Sequence, residues 1–455
     1  MPLFDSSIPR PRNWPPPFSE EEIRRQVEWG RLRDPLGHGV HAWMAAIALF
    51  CMPLATAPAS ISLIVLLVYF ILRLPTLWRT LTPLVMSSLA WALACWFVIS
   101  LLMIIPSPDR SMGFDHIGAM RMLLLPLLLW PVLDRWRLLV GGLILGVAVQ
   151  NSIQIMQMIM LASMGELEAG MRISGAMKHP GHLGGYCVLV ILVEIALMTQ
   201  ARKLTTRFVL GILATLALLG LLMTASRGVA LGFVGGVLVV SCSLWICHWI
   251  RPRTILLGGF GAALVILPAM YIGSATLWTR MSTAWMETVE YVDRDSISTT
   301  VGIRLYWWES GWIAFKEAPV TGHGNGSTAA MAMQSPLKDW AESIMHGSLH
   351  ERLVPTHPHS VYIQTLAEQG IIGTLVLAWV LVAGVWTLLK SARISPLGCG
   401  LLGGMVSWMI ASVFEGQHLS GQSLSALMIP LAIGGIGLLP KASGPPGNGC
   451  CQARS

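Results

Sequence analysis

The sequence predicts an all-α, polytopic membrane protein with about twelve transmembrane helices and one large helical loop outside the cytoplasm. Composition is the first ground: 54% of the 455 residues are hydrophobic and only 12% are charged, against the ~25% charge usual for a soluble domain. The mean hydropathy of +0.65 agrees. Run length is the second, because apolar stretches recur near the ~20 residues needed to cross a ~30 Å hydrocarbon layer. Charge placement is the third: Lys and Arg gather in alternate short connections.

Residues 1–38 are polar. Pro15-Pro16-Pro17 is followed by Ser19-Glu20-Glu21-Glu22, the start of a short charged helix, so a cytoplasmic or interface-lying segment without a cleavable signal peptide is expected. Nine spans then fall within 39–273, at about 39–57, 59–73, 83–105, 117–133, 138–160, 183–200, 208–225, 228–247 and 254–273. The first two share one uncharged run broken at Ala57-Pro58, which predicts a hairpin. A large loop occupies 274–368, three further spans lie within 369–440 at about 369–389, 397–414 and 422–440, and a cytoplasmic tail covers 441–455.

With the N-terminus inside, the inner connections carry Arg73 and Arg79, Arg135 and Arg137, Arg202, Lys203 and Arg207, Arg251 and Arg253, then Lys390 and Arg393. Each is basic, as the positive-inside rule requires. The net charge of +7 is accounted for in this way and does not call for nucleic acid. Cys51, Cys95, Cys187, Cys242, Cys247 and Cys399 sit in or beside apolar runs and read as small core residues.

The large loop mixes Trp278, Trp285, Trp307, Trp308, Trp312 and Trp340 with charged residues. Such rings favour the headgroup level and also stack on sugars, so a helical cap lying on the membrane is predicted. Gly322-His-Gly-Asn-Gly-Ser327 has no strand-to-helix context for a nucleotide loop and reads as a flexible turn.

Ionisable groups near hydrocarbon require a partner or a function. Arg121, Arg172, Lys178, Arg227 and Arg304 collect on the outer side, against the positive-inside trend. A lone outer arginine snorkels to lipid phosphate. Arg227, pinned between two uncharged helices, points instead to function. A guanidinium grips phosphate oxygens in a bidentate fork and never deprotonates, which suits a diphosphate held at a bilayer surface. Asp293-Arg-Asp295 has metal-ligand spacing but is alone, and Glu194 within the sixth span is expected to pair with another buried polar group.

Four histidines flank these cations: His179 and His182 after Arg172, and His357 and His359 at the end of the loop. Pro358 forces an extended dipeptide and no cysteine joins the histidines, so the chemistry of a base is favoured over metal ligation, with no cofactor expected.

At these residues the chain resembles the O-antigen ligase family, within the group of membrane glycosyltransferases that includes O-antigen polymerases and O-oligosaccharyltransferases. The pattern His-[Asn/Ser/Gln], nine residues, Gly-x-x-[Gly/Thr/Tyr] stands here as His359-Ser360, Val361 to Gln369, Gly370 and Gly373. Arg-x-x-x-Leu stands as Arg227-Gly-Val-Ala-Leu231, and Arg172-Ile-Ser-Gly175 and Arg304 resemble further arginine positions. The resemblance implies transfer of a polysaccharide from undecaprenyl diphosphate to a sugar hydroxyl of lipid A–core, at the periplasmic face of a Gram-negative inner membrane. His359 and Arg227 would be catalytic. Arg172, Arg304, Arg121 and Lys178 would bind the diphosphate, and His357 and His179 would contact acceptor or donor. A polymerase would resemble a plan with two long outer loops, an O-oligosaccharyltransferase often continues further at its C-terminus, and a transporter would place polar groups at the midplane in two related halves.

Overall fold

The computed structural model describes residues 28, 30–168, 171–251, 283, 285–344 and 357–435. These residues form helices and turns, with no strand among them. In chain order the main helices are α1 (Pro35–Cys51), α2 (Thr56–Leu77), α3 (Ser88–Leu102), α4 (Arg110–Ala119), α5 (Trp136–Ser163), α6 (Pro180–Gln200), α7 (Leu204–Met223) and α8 (Arg227–Ile246). The loop contributes α9 (Thr300–Glu317), α10 (Thr328–Gln334) and α11 (Lys338–Ile344), and the chain returns through α12 (Val361–Ile394), α13 (Pro396–Ala411) and α14 (Gly421–Gly434).

Among the described residues, six helical stretches are long and apolar enough to cross a membrane: α2, the continuous Arg110–Ser163 stretch, α6, α7, α8 and α12. Helices α1, α3, α13 and α14 are apolar but shorter. The predicted span at 254–273, the N-terminal segment before residue 28, Trp278 and the tail 441–455 lie outside the described residues.

Local sequence explains most boundaries. Asp34 caps α1, its Oδ1 accepting the Gly37 N–H at 2.8 Å with Pro35 in the first turn. The chain leaves helix at 52–55 and Pro58 falls within the first turn of α2, so the expected hairpin forms with its break just before Ala57-Pro58. The predicted fourth span is not one regular helix. After α4 the chain runs through 3₁₀ turns at Met120–Leu124 and Trp130–Arg135, separated by Leu125–Leu129. Pro126 and Pro131 remove backbone donors there, and Val132 leaves helical geometry at φ −119°.

One hydrophobic core runs through the bundle, from Leu49 on α1 through Trp96 and Tyr186 to Ile433 on α14. Between helices in lipid the stabilisation comes from close packing, and small residues allow it. A Cβ on Gly232 of α8 would lie 2.5 Å from the Ser407 carbonyl of α13. At the α1–α2 end, Arg73 Nε meets Asp34 at 2.9 Å and its Nη1 donates to His41 Nδ1 at 3.0 Å, while His41 Nε2 donates to the Leu128 carbonyl. A separate cluster around Tyr291, Ile297, Ile303, Tyr306 and Ala341 holds the loop helices together.

Helix α12 begins eight residues before the predicted span and bends at Gly370, whose φ of +61° and ψ of −157° interrupt it. The bend separates a short segment that carries the histidine from a long apolar one. It is fastened by the Gly322–Ser327 turn, which corrects the reading of that turn as flexible. Gly322, Gly324 and Gly326 all have positive φ, and the His323 and Gly324 amides donate to the carbonyls of Ala367 and Glu368 while the Asn325 amide donates to Met103. With its amides committed to carbonyls, the turn is a clamp between α3 and α12.

Candidate active site

Ser360 caps α12, its Oγ accepting the Ile363 N–H at 3.5 Å, so the backbone must leave helix immediately before it. His359 does so at φ +51°, the left-handed region, which for a residue with a Cβ costs roughly 1–2 kcal/mol. The surroundings hold it there. Trp308 Nε1 donates to the Pro358 carbonyl at 3.0 Å, the Val361 amide donates to the Ser412 carbonyl at 2.9 Å, and Trp307 stacks on the imidazole with centroids 5.2 Å apart. Two of the loop tryptophans therefore position the histidine.

The partner of that imidazole is a residue the sequence reading did not single out. Glu415 follows α13, and its Oε2 lies 3.5 Å from His359 Nδ1 while its Oε1 lies 3.9 Å from Arg304 Nη2. These are ion-pair separations rather than short hydrogen bonds. Burial by itself raises the Glu415 pKa, but His359, Arg304 and His179 more than offset it and hold the carboxyl at about 2. Glu415 is therefore ionised at neutral pH. A carboxylate facing Nδ1 favours the tautomer with its proton there, leaving the Nε2 lone pair for a proton acceptor's work.

The pair opens onto a cleft of about 350 Å³ between α4, the start of α6, the His357–Ser360 segment and the 415–423 connection. Its walls include His116, His179, His182, His357, His359 and Glu415. His357 and His359 have ring centroids 4.3 Å apart, and His357 packs so closely on Gly416 that a Cβ there would come within 2.5 Å of it. Burial lowers His357 to about 3, and the neighbouring His359 acts the same way, so His357 is neutral at pH 7. His179 caps α6, accepting the Gly181 N–H at Nδ1 (3.2 Å), and burial lowers its pKa too. His182 lies beside it at 5.1 Å between centroids, with Ser420 Oγ 3.4 Å from its Nδ1.

The predicted cations divide into two sets. Burial lowers the pKa of Arg304; Glu415 opposes this, and the nearby Arg172 and Arg227 charges reinforce it. The three arginines thus feel one another, and Arg304 touches the Glu415–His359 pair. Arg227 is the first, exposed residue of α8, and Arg172 is exposed with Nε donating to the Thr224 carbonyl at 3.2 Å. Arg121 does not line the cleft itself but lies against Gly421 just behind its wall, its guanidinium donating to the Gly118 carbonyl and to Ser60 Oγ. Lys178 is exposed and does not line the cleft.

One further expectation changes, and one motif finds a partner. Glu194 is fully buried, but neither carboxyl oxygen has a hydrogen-bond partner among the described residues, so the predicted polar partner is missing. Arg294, between Asp293 and Asp295, is committed to Glu309 at 2.7 and 3.1 Å and lies over the Trp340 ring. Glu415 had one available signal, as the sole carboxylate of the 415–421 connection. Nothing in its spacing ties it to His359.

Fold and site together define a membrane protein, helical throughout its described residues, with a histidine–carboxylate pair and adjoining arginines. A family model for O-antigen ligase matches residues 212–378. The matched region includes Arg227, Arg304, His357 and His359. Over 185 residues the chain is 24% identical to an uncharacterized protein of Haemophilus influenzae, covering 38% of this chain and 42% of that protein. The chain thus spans less than half the length of that relative.

Proposed function

We propose that this protein is an O-antigen ligase: it transfers a polysaccharide from undecaprenyl diphosphate to a sugar hydroxyl of lipid A–core at the periplasmic face of the bacterial inner membrane, with both chain termini cytoplasmic. The observation that carries the reading is His359, held in a left-handed backbone conformation with Glu415 at 3.5 Å and Arg304 next to that carboxylate. His359 Nε2 takes the proton of the acceptor hydroxyl as its oxygen bonds to the donor's anomeric carbon. The bond from that carbon to the diphosphate oxygen breaks on the opposite side, inverting the centre, and the electron pair leaves with the diphosphate. General-base assistance of this type is worth ~10²–10⁴-fold.

Arg227, Arg172 and Arg304 receive the leaving diphosphate. A preorganised charge contact at developing negative charge contributes ~2.7–4 kcal/mol to lowering a barrier. The donor's own ester supplies the driving force, so nucleotide is not required. Arg121 and Lys178 belong to the rim that meets lipid or the outer diphosphate oxygens.

The test is purified protein with undecaprenyl diphosphate-linked glycan and lipid A–core, without ATP and in the presence of EDTA. Glycan should appear on lipid A–core, and His359→Ala should reduce transfer by at least ~10²-fold while remaining folded. Growth of the lipid-linked chain with unmodified lipid A–core would make the protein a polymerase. Unchanged turnover in His359→Ala would remove the base assignment.

A further inference from the structure

A second cleft, of about 590 Å³, opens between the start of α5, the end of α6 and the start of α7. Helix α6 relates it to the first: Gly181 and His182 line the histidine cleft at one end of that helix, and Gln200 and Ala201 line this one at the other. At ~1.5 Å per residue, Gly181 and Gln200 stand about 28 Å apart, close to the ~30 Å thickness of a hydrocarbon layer. The second cleft is therefore at the far side of the bilayer from His359. Its volume is within the roughly 300–1,000 Å³ of small-molecule sites, and the transfer chemistry makes no use of it.

The lining changes character with depth. Arg137 is in the first turn of α5, Gln200 ends α6, Arg202 lies in the connection that follows, and Thr206 is in the first turn of α7. One to two turns further into each helix the walls are apolar, with Val140 and Ile144 on α5, Leu197 on α6 and Leu210 on α7. Among the described residues no carboxylate lines the cleft. At the same end of the bundle Arg31 and Arg135 approach Asp134 and Arg73 meets Asp34, but Arg137 and Arg202 have no ion pair among the described residues. Both are held near the mouth. The Arg137 guanidinium rests over the Trp136 ring at 5.4 Å, and the connection bearing Arg202 is braced by Arg207, whose Nε donates to the Ala201 carbonyl at 2.9 Å.

A guanidinium without a carboxylate takes phosphate oxygens in its place, and basic pockets between membrane helices bind anionic head groups. A soluble anion would match the two arginines and leave the apolar walls unmatched; a neutral lipid would match the walls and leave the arginines without a counter-charge. We infer that this cleft binds an anionic phospholipid of the leaflet opposite the candidate active site, its head-group phosphate on Arg137 and Arg202 and an acyl chain against Val140, Ile144 and Leu210. Gly141, which lines the cleft, leaves room for that chain. A Cβ on Gly141 would meet nothing within 4 Å, whereas its neighbour Gly142 packs against the Ala46 carbonyl of α1. The bound lipid ties the start of α5 to the α6–α7 connection, whichever reaction the other end performs.

The test uses the full chain purified in a neutral detergent, with bound lipid counted by native mass spectrometry during titration with phosphatidylglycerol, with phosphatidylcholine of the same acyl chains, and with inorganic phosphate as competitor. Phosphatidylglycerol should bind more tightly than phosphatidylcholine. Arg137→Gln and Arg202→Gln, both at exposed positions, should each weaken phosphatidylglycerol roughly fivefold and leave phosphatidylcholine within about twofold. Gly141→Leu keeps the charges and narrows the groove, so binding of both lipids should be lost together; leucine favours helix over glycine, so melting in the absence of lipid should not worsen. Equal binding of the two lipids by the wild-type protein would overturn the site, as would phosphatidylglycerol affinity unchanged in the double arginine variant. Displacement of phosphatidylglycerol by equimolar inorganic phosphate, with Gly141→Leu binding as wild type does, would replace the lipid by a simple anion.

Discussion

At the residue scale, the proposed chemistry depends on how His359 is held. Its motif and its place at the end of a long polar segment were both legible, because each depends on local sequence. Glu415 was not. It is 56 residues away and meets His359 only because Ser412 binds the Val361 amide and docks the end of α13 against the start of α12. We expect Glu415→Gln to lower kcat by roughly 10–100-fold with KM little changed, since an orienting carboxylate stabilises the imidazolium that forms in the transition state. Glu415→Asp should recover part of the loss, and steady-state kinetics on the three proteins checks it. Full activity in Glu415→Gln would show that the 3.5 Å approach has no catalytic weight.

At the element scale, hydropathy located the apolar helices well and described their ends and bends less well. The predicted start of the tenth span near residue 369 coincides with the Gly370 bend rather than with the helix start at Val361. Apolar content marks where lipid-facing character begins, whereas the short segment before the bend is polar enough to read as loop. Gly370 is also where a side chain is least tolerable: φ is +61°, and a Cβ would lie 2.5 Å from the Val320 carbonyl carbon and oxygen. Gly370→Ala should therefore destabilise the protein by at least ~1–3 kcal/mol, the cost of a strained backbone before the clash is added. Thermal unfolding in detergent measures it, and a melting temperature equal to wild type would contradict the bend. The fourth predicted span shows the same limit, since two prolines divide a run whose hydropathy reads as continuous.

At the scale of the whole molecule, the buried titratable groups make the site end sensitive to acid. His357 and His418 are lowered by burial to about 3 from the usual 6.5, so between those values the unfolded chain binds protons that the folded protein excludes. Stability is then complete above pH 6.5 and declines as pH falls toward 3. Glu415, held at about 2 against a usual 4.5, adds a loss that begins below 4.5. Melting temperature should fall steadily from pH 6.5 downward, and His418→Gln should flatten the upper part of that decline; a curve flat to pH 4 would refute the burial of these groups. By itself the sequence determined that the chain is helical and built for a membrane, and it pointed to one histidine and several arginines as candidates for chemistry. Those properties reside in composition, run length and short motifs, which survive without knowledge of contacts. Only the tertiary structure decided which cations adjoin the His359–Glu415 pair, that Glu415 stands behind His359, and that the Gly322–Ser327 turn is a clamp. Each of these depends on residues far apart in sequence being brought together by helix packing, and no local pattern records that.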